Sequence, residues 1–499
     1  MLFNSWQFIF AFLPISFFIY FWLTRRRLVF AAKVWLVAAS LFFYSYWNIA
    51  YLALILASMF FNFAVGTGLA QTHADHSQNS RPKRHEVNRK VVLGIGIAAN
   101  LALLAYFKYT SFFIENINSL FDAGYTLPNI ALPLAISFFT FQQIAYLVDS
   151  YRGETAEYDL LNYSLFVTFF PQLIAGPIVH HHEMMSQFAS PKTLVIRHAN
   201  LLKGLFIFSI GLFKKVVIAD TFANWADAGF DGGQPLDFFA AWAASLSYTF
   251  QLYFDFSGYC DMAIGIALLF NIKLPINFNS PYKALSIQDF WRRWHMTLSR
   301  FLRDYIYIPL GGNRKTSLHT YFNLMATFVL GGLWHGASWM FVIWGFLHGG
   351  ALVVHRFWQQ LGMQLPKALA WLTTFLFINV TWVFFRAASM DDAMRVLSGM
   401  ADIGSIGGES VTLIPTEGLA WGGWLIDTLM NYLPINLVPQ LLTYLAIFIG
   451  FGLITRKNSL EISDGKYSYA KTIYGATLFT IATYFMLAAT STVFLYFNF

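Results

Sequence analysis

The run Gly331-Gly-Leu-Trp-His335-Gly336 closes an apolar stretch over residues 323–333. It places an imidazole where burying an ionisable group is costly and therefore points to function. A neutral imidazole can take a proton from a hydroxyl near neutral pH, which acyl transfer to an alcohol requires. The flanking glycines let backbones and ligands approach closely, and Trp334 offers an apolar wall beside the ring. The plainer reading of His335 is a structural histidine bonded to a neighbouring carbonyl.

A second histidine ends Asp289-Phe-Trp-Arg-Arg-Trp-His295. Ser286-Ile-Gln-Asp289 has the form of a capping box, so a helix is expected to start there. At about 100° per residue, Trp291, Trp294, His295, Leu298, Leu302 and Tyr305 share one face, and Arg292, Arg293, Arg300 and Arg303 share the other. Such a helix lies in the membrane interface rather than crossing it. Its arginines suit either anionic lipid headgroups or a phosphate-bearing cytosolic substrate. An interfacial histidine such as His295 is more often packed and hydrogen-bonded than catalytic, so alone it is weak evidence. A Gly-Gly turn, Leu310-Gly-Gly-Asn313-Arg314, follows.

Asp255 and Asp261 stand in Gln251-Leu-Tyr-Phe-Asp-Phe-Ser-Gly-Tyr-Cys-Asp261. Two carboxylates in so apolar a setting need partners such as arginine, histidine or hydroxyl groups. They either orient a catalytic histidine or neutralise a buried arginine. His348 and His355, seven apart on one helix face, read as structural. The triplet His180-His181-His182 before Glu183 invites a metal, but adjacent histidines on one loop cannot all converge on one ion, so no metal is expected. No Walker motif, dinucleotide fingerprint or Gly-x-Ser-x-Gly elbow is present, which removes the support for ATP-driven transport and serine hydrolysis.

The elements that must hold these groups are membrane helices. The chain of 499 residues is 57% hydrophobic, 19% aromatic and 11% charged, against about 25% charged in soluble domains. Its apolar runs are continuous rather than alternating, so it is expected to be all-α and polytopic, with about 11–13 membrane segments, some short or re-entrant. The net charge of +7 is read as cytoplasmic loops rich in Lys and Arg, not as a nucleic-acid surface. Cys260 is the single cysteine, which excludes an internal disulfide.

Spans are expected at 6–23, 29–46, 51–70, 91–107, 132–148, 202–217, 238–253, 262–270, 339–354, 369–385, 437–454 and 473–496. A further segment, 160–178, is broken by Pro171 and Gly176-Pro177 and is re-entrant if protein or water surrounds it. The first span reads as a retained anchor. Arg25, Arg26 and Arg27 after it, and the basic loop 71–90, are expected in the cytoplasm, which puts the N-terminus outside. Lys273, Lys283, Arg292, Arg293, Arg300, Arg303, Arg314 and Lys315, opposed by Asp289 and Asp304, mark a further cytoplasmic face. The Gly-rich segment 399–431 reads as an extracytoplasmic loop. The whole chain, 1–499, is taken as one integral-membrane domain, with N-terminal spans 1–150, a catalytic core 160–350 and C-terminal spans 351–499.

Taken together, several phrases resemble the membrane-bound O-acyltransferase superfamily, in the branch of alginate O-acetylation membrane proteins and teichoic acid D-alanyl transfer proteins. They are Phe170-Pro-Gln-Leu-Ile-Ala-Gly-Pro177, residues 251–262, Asn279-Ser-Pro-Tyr282, residues 289–303, Tyr305-Ile-Tyr-Ile-Pro-Leu-Gly-Gly-Asn313, Gly331–Gly336 and residues 344–348. The resemblance implies a ring of helices around a thin waist, with His335 as the essential histidine at the bottom of a funnel and His295 as a second recurring one. It implies transfer of an acyl group, expected to be acetyl, from cytosolic acetyl-CoA across a bacterial inner membrane. The acceptor is a cell-envelope polysaccharide (alginate-like, peptidoglycan or another glycan), reached through a periplasmic partner of transferase or esterase type.

Within that reading Asp255, Asp261, Asp289, Trp334 and Asn313 support the site, and Arg292, Arg293 and Arg300 hold the acyl-CoA. No permanently bound cofactor is expected. The alternative from another class is a transporter or glycan-export component with an Asp/His proton relay through Asp255, Asp261 and His335.

Overall fold

A computed structural model describes residues 1–78, 88–155, 159–406, 437–488 and 495. Every regular element among them is helical, as the continuous apolar runs require in a bilayer. Six described helices are long and apolar enough to cross a membrane: α1 (Phe8–Arg25), α3 (Ala50–Gln71 of a helix reaching Gln78), α4 (Arg89–Phe121), and the later Phe238–Leu269, Trp339–Gln360 and Lys367–Arg386. The helix α2 (Val29–Ser45) is shorter and equally apolar. Of the basic loop expected over 71–90, residues 71–78 instead continue α3 and 79–87 lie outside the described residues, as does most of 399–431.

Two compact units divide the chain. The first holds residues 1–208 and 262–275, the second 209–261 and 276–499. In the first unit, α5 (Ile136–Arg152) packs against α3 and α4 around a polar cluster: Asn62 and Asn100 exchange amide hydrogen bonds of 3.1 and 2.7 Å, and Ser58 donates to Gln143 at 3.2 Å. Satisfied amides of this kind fix helix register in apolar surroundings. The broken segment is real. It forms α6 (Leu160–Thr168) and α7 (Phe170–Leu173), and the Phe166 carbonyl accepts from both Gln142 Nε2 and Gln172 Nε2, at 2.9 and 2.7 Å.

The histidine triplet is not a loop. His180 caps α8 (His181–Phe188) in a capping box with Glu183, and the His181 ring meets Thr155. Among the described residues no three His, Cys, Asp or Glu side chains gather as a metal site.

After α9 (His198–Phe213) and α10 (Asp220–Asp231), two expectations are corrected. The spans anticipated at 238–253 and 262–270 are one continuous helix, α11 (Phe238–Leu269), buried along its apolar length. Each of its central aspartates bonds a lysine, so their polarity does not break the helix. The single amphipathic helix expected from Ser286 is broken too. It is α12 (Ile287–Trp291) and α13 (Met296–Leu302), separated by His295 at φ 42°, ψ 52°. Periodicity could not reveal the break, because a tertiary clip causes it. The Asn279 N–H donates to the Arg293 carbonyl at 2.9 Å, and the Met296 N–H to the Asn277 carbonyl at 3.0 Å.

Next come α14 (Ser317–His335) and α15 (Trp339–Gln360), the most intimate helix pair of the unit. A Cβ on Gly332 would strike the Phe341 carbonyl, and one on Gly345 the Phe328 carbonyl. α16 (Lys367–Arg386) and α17 (Met390–Ala401) follow. After the undescribed stretch come α18 (Leu437–Ile454), α19 (Ser459–Ser463) and α20 (Tyr469–Ala488).

Candidate active site

His335 is the last residue of α14, and the chain leaves it extended at Gly336. The residue is 3% exposed. Trp334, Trp344 and Phe385 surround it with ring centroids 5.0, 5.2 and 5.1 Å away. Three elements thus build the cage, α14, α15 and α16. The flanking glycines provide the close approach expected of them. Gly332 and Gly336 lie against the Phe341 carbonyl and ring, and Gly331 faces Leu302. They allow close helix contact.

His295 is fully buried beside it, with ring centroids 6.4 Å apart. Its left-handed backbone is uncommon for a residue with a side chain, and such strain persists where surroundings over-determine it. Here Asn277 does so. Asn277 Oδ1 meets His295 Nδ1 at 3.0 Å, accepts from the Thr297 N–H at 3.2 Å, and accepts from the Thr297 hydroxyl at 3.0 Å. A backbone N–H can only donate, so that amide atom is the oxygen and His295 Nδ1 carries the proton. In the neutral ring Nε2 then holds the lone pair, the arrangement a proton acceptor needs. Asn277 Nδ2 in turn donates to Cys260 Sγ at 3.4 Å on α11.

Asn277 was missed in the sequence, although an asparagine in Leu274-Pro-Ile-Asn-Phe-Asn279 is a polar intruder that offered the signal.

The aspartates take lysines as partners, not arginine or histidine. Lys214 Nζ lies 2.7 Å from Asp261 Oδ2, and Lys215 Nζ lies 2.7 Å from both Asp255 Oδ1 and Asp220 Oδ1. Both lysines follow α9 in the same unit, and neither was named from the sequence. Asp289 belongs to the surface of α12. It bonds Arg293 Nε at 2.8 Å, four residues on, and accepts from the Leu285 N–H.

The three arginines expected to hold a donor are therefore dispersed. Arg293 is tied to Asp289 and to the Asn279 carbonyl, Arg292 lines a cleft beside α14 and α15, and Arg300 lines neither described cleft. Asn313 is exposed. In the Gly-Gly turn it is the Gly312 carbonyl that is held, by Asn323 Nδ2 at 2.9 Å, with Gly311 and Gly312 at φ 111° and 55°. His348 is buried and its Nδ1 accepts from Trp291 Nε1 at 3.2 Å, a packed histidine as expected.

The sequence model described as membrane-bound O-acyltransferase family matches residues 40–390, which include every member of this histidine site. The chain belongs to that family. It is a multi-pass membrane acyltransferase, and its relatives carry the same chemistry in their names. It is 48% identical to a peptidoglycan O-acetyltransferase of Helicobacter pylori, over 100% of this chain and 98% of the relative. It is 39% identical to a probable alginate O-acetylase of Azotobacter vinelandii, over 81% of this chain and 79% of the relative. With a teichoic acid D-alanyltransferase of Bacillus subtilis the identity is 29%, over 51% and 67%.

Proposed function

We propose that this acyltransferase O-acetylates a cell-envelope polysaccharide, with peptidoglycan favoured over an alginate-like glycan, using cytosolic acetyl-CoA as donor. The choice of glycan rests on the end-to-end likeness to the peptidoglycan enzyme; the likeness to the alginate enzyme covers 81% of the chain. The catalytic reading rests on one observation: two buried imidazoles lie side by side, and Asn277 dictates the tautomer of one.

His335 is the general base. It takes the proton of an acceptor hydroxyl as that oxygen attacks the acetyl carbonyl. The C–O ester bond forms, the thioester C–S bond breaks, and the coenzyme A thiolate leaves to collect the proton. His295 positions and polarises rather than reacts, and Trp344 and Phe385 keep water from the thioester. Arg300 is the arginine retained for the donor's phosphates. The protein sits in the bacterial inner membrane with its N-terminus outside and the 273–315 face in the cytoplasm. A periplasmic transferase or esterase-like partner passes the group on to the glycan.

The test uses membranes holding the protein, supplied with labelled acetyl-CoA and followed for acetyl ester on the envelope glycan. His335→Ala lowers transfer by roughly 10²–10⁴-fold, the usual cost of losing a general base, with expression and insertion intact. His295→Ala lowers it less. Near-normal transfer by His335→Ala with a dead His295→Ala reverses the assignment. Labelled ester on alginate but not on peptidoglycan corrects the acceptor.

A further inference from the structure

Two clefts adjoin in the second unit and share His355 and Gln359. The smaller, about 280 Å³, presents Arg292, Arg303 and Arg356. The larger, about 930 Å³, runs between α15 and α16 and is walled by apolar side chains such as Leu347, Val354, Trp358, Leu365 and Phe377. Among the described residues, no aspartate or glutamate lines either one. Asp304 answers Arg303 at 2.7 Å. Arg356 Nε and His355 Nε2, by contrast, are buried with no hydrogen-bond partner among the described residues.

A soluble anion has no use for an apolar groove of that size, and an apolar ligand has no use for guanidinium groups. A molecule with a phosphate at one end and acyl chains at the other satisfies both. The groove also lies between two helices long enough to cross the bilayer, so lipid is the solvent at its mouth. We infer that this composite cleft is a specific site for one anionic phospholipid, with its phosphate held by Arg292 and Arg356 and its chains laid along the α15–α16 groove. Planar, always-charged guanidinium groups suit phosphate oxygens, and anionic lipids concentrate in the cytoplasmic leaflet. The inference does not depend on which glycan is acetylated or on which histidine is the base.

The experiment compares phosphatidylglycerol with phosphatidylcholine of the same chains, added to the purified full chain and read by native mass spectrometry. Wild type retains one phosphatidylglycerol in preference. Arg292→Gln with Arg356→Gln lowers that retention roughly 25-fold, at about fivefold per basic group near an anionic headgroup. Arg292→Gln alone, on an exposed side chain, serves if the pair does not fold, with a fivefold loss. Gly350 lines the groove, and a Cβ there meets open space. Gly350→Trp is therefore expected to fill the groove and to lose the lipid while leaving both arginines in place.

Equal retention of the two lipids by wild type overturns the inference. So does coenzyme A or inorganic phosphate binding that the arginine variants abolish and Gly350→Trp leaves untouched, because the cleft would then serve a soluble phosphate.

Discussion

Removing the Asn277 side chain tests the claim that its oxygen sets up His295. Asn277→Ala deprives three donors of one acceptor: His295 Nδ1, the Thr297 hydroxyl and the Thr297 N–H. Two of them can adapt, since the hydroxyl can rotate and the imidazole can carry its proton on the other nitrogen. Only the backbone N–H is stranded, so the stability cost is that of one buried unsatisfied donor, about 1–3 kcal/mol. The catalytic cost is larger. A His295 ring free to switch tautomer and turn loses its alignment with His335, and a misplacement of about 1 Å can cost on the order of 10²-fold in rate.

The assay measures acetyl transfer and thermal unfolding for Asn277→Ala, His295→Ala and the double variant. If Asn277 acts on the reaction through His295, it lowers the rate about 10²-fold in the wild-type background and hardly at all once His295 is alanine. Its effect on unfolding persists in both backgrounds. Independent rate losses that multiply in the double variant would falsify the positioning role.

Three further outcomes follow from the same geometry. Asp261→Asn leaves Lys214 as an uncompensated buried charge and costs about 3–5 kcal/mol by thermal unfolding, while Lys214→Met with Asp261→Leu recovers most of it; Asp255→Asn costs less, because Asp220 still holds Lys215. Gly332→Val drives side-chain atoms into the Phe341 carbonyl and destabilises the α14–α15 pair by about 1–3 kcal/mol or more, whereas Gly350→Ala, facing open space, is near neutral in the same melt. Cysteine introduced at Thr316, the cap of α14, is expected to react with a membrane-impermeant thiol reagent only in inverted vesicles, and labelling from outside intact cells refutes the cytoplasmic placement of this face.

What the sequence disclosed and what it withheld divide along one physical line. Membrane helices are set by continuous apolar runs, and the boundaries of α2 and α16 were legible within two residues because nothing but length and hydropathy decides them. His335 stood out for the same reason, as an ionisable group at the end of such a run. The His295 turn was hidden, because 287–302 has good helical periodicity and the break comes from hydrogen bonds to a segment that precedes it in sequence. The continuity of α11 was hidden for a similar reason: the lysines that satisfy Asp255 and Asp261 within the helix lie some forty residues earlier (Lys214–Asp261, a separation of 47). Even the arginines follow the rule. Their common helical face was a property of an unbroken helix; Arg293, drawn to Asp289 and the Asn279 carbonyl, does not join Arg292 at the cleft beside α14 and α15. Local pattern specifies an element as long as its own side chains satisfy it. Where a side chain needs a distant partner, the partner decides the backbone, and in this chain the best-defined example, Asn277 with His295, is also where two histidines meet.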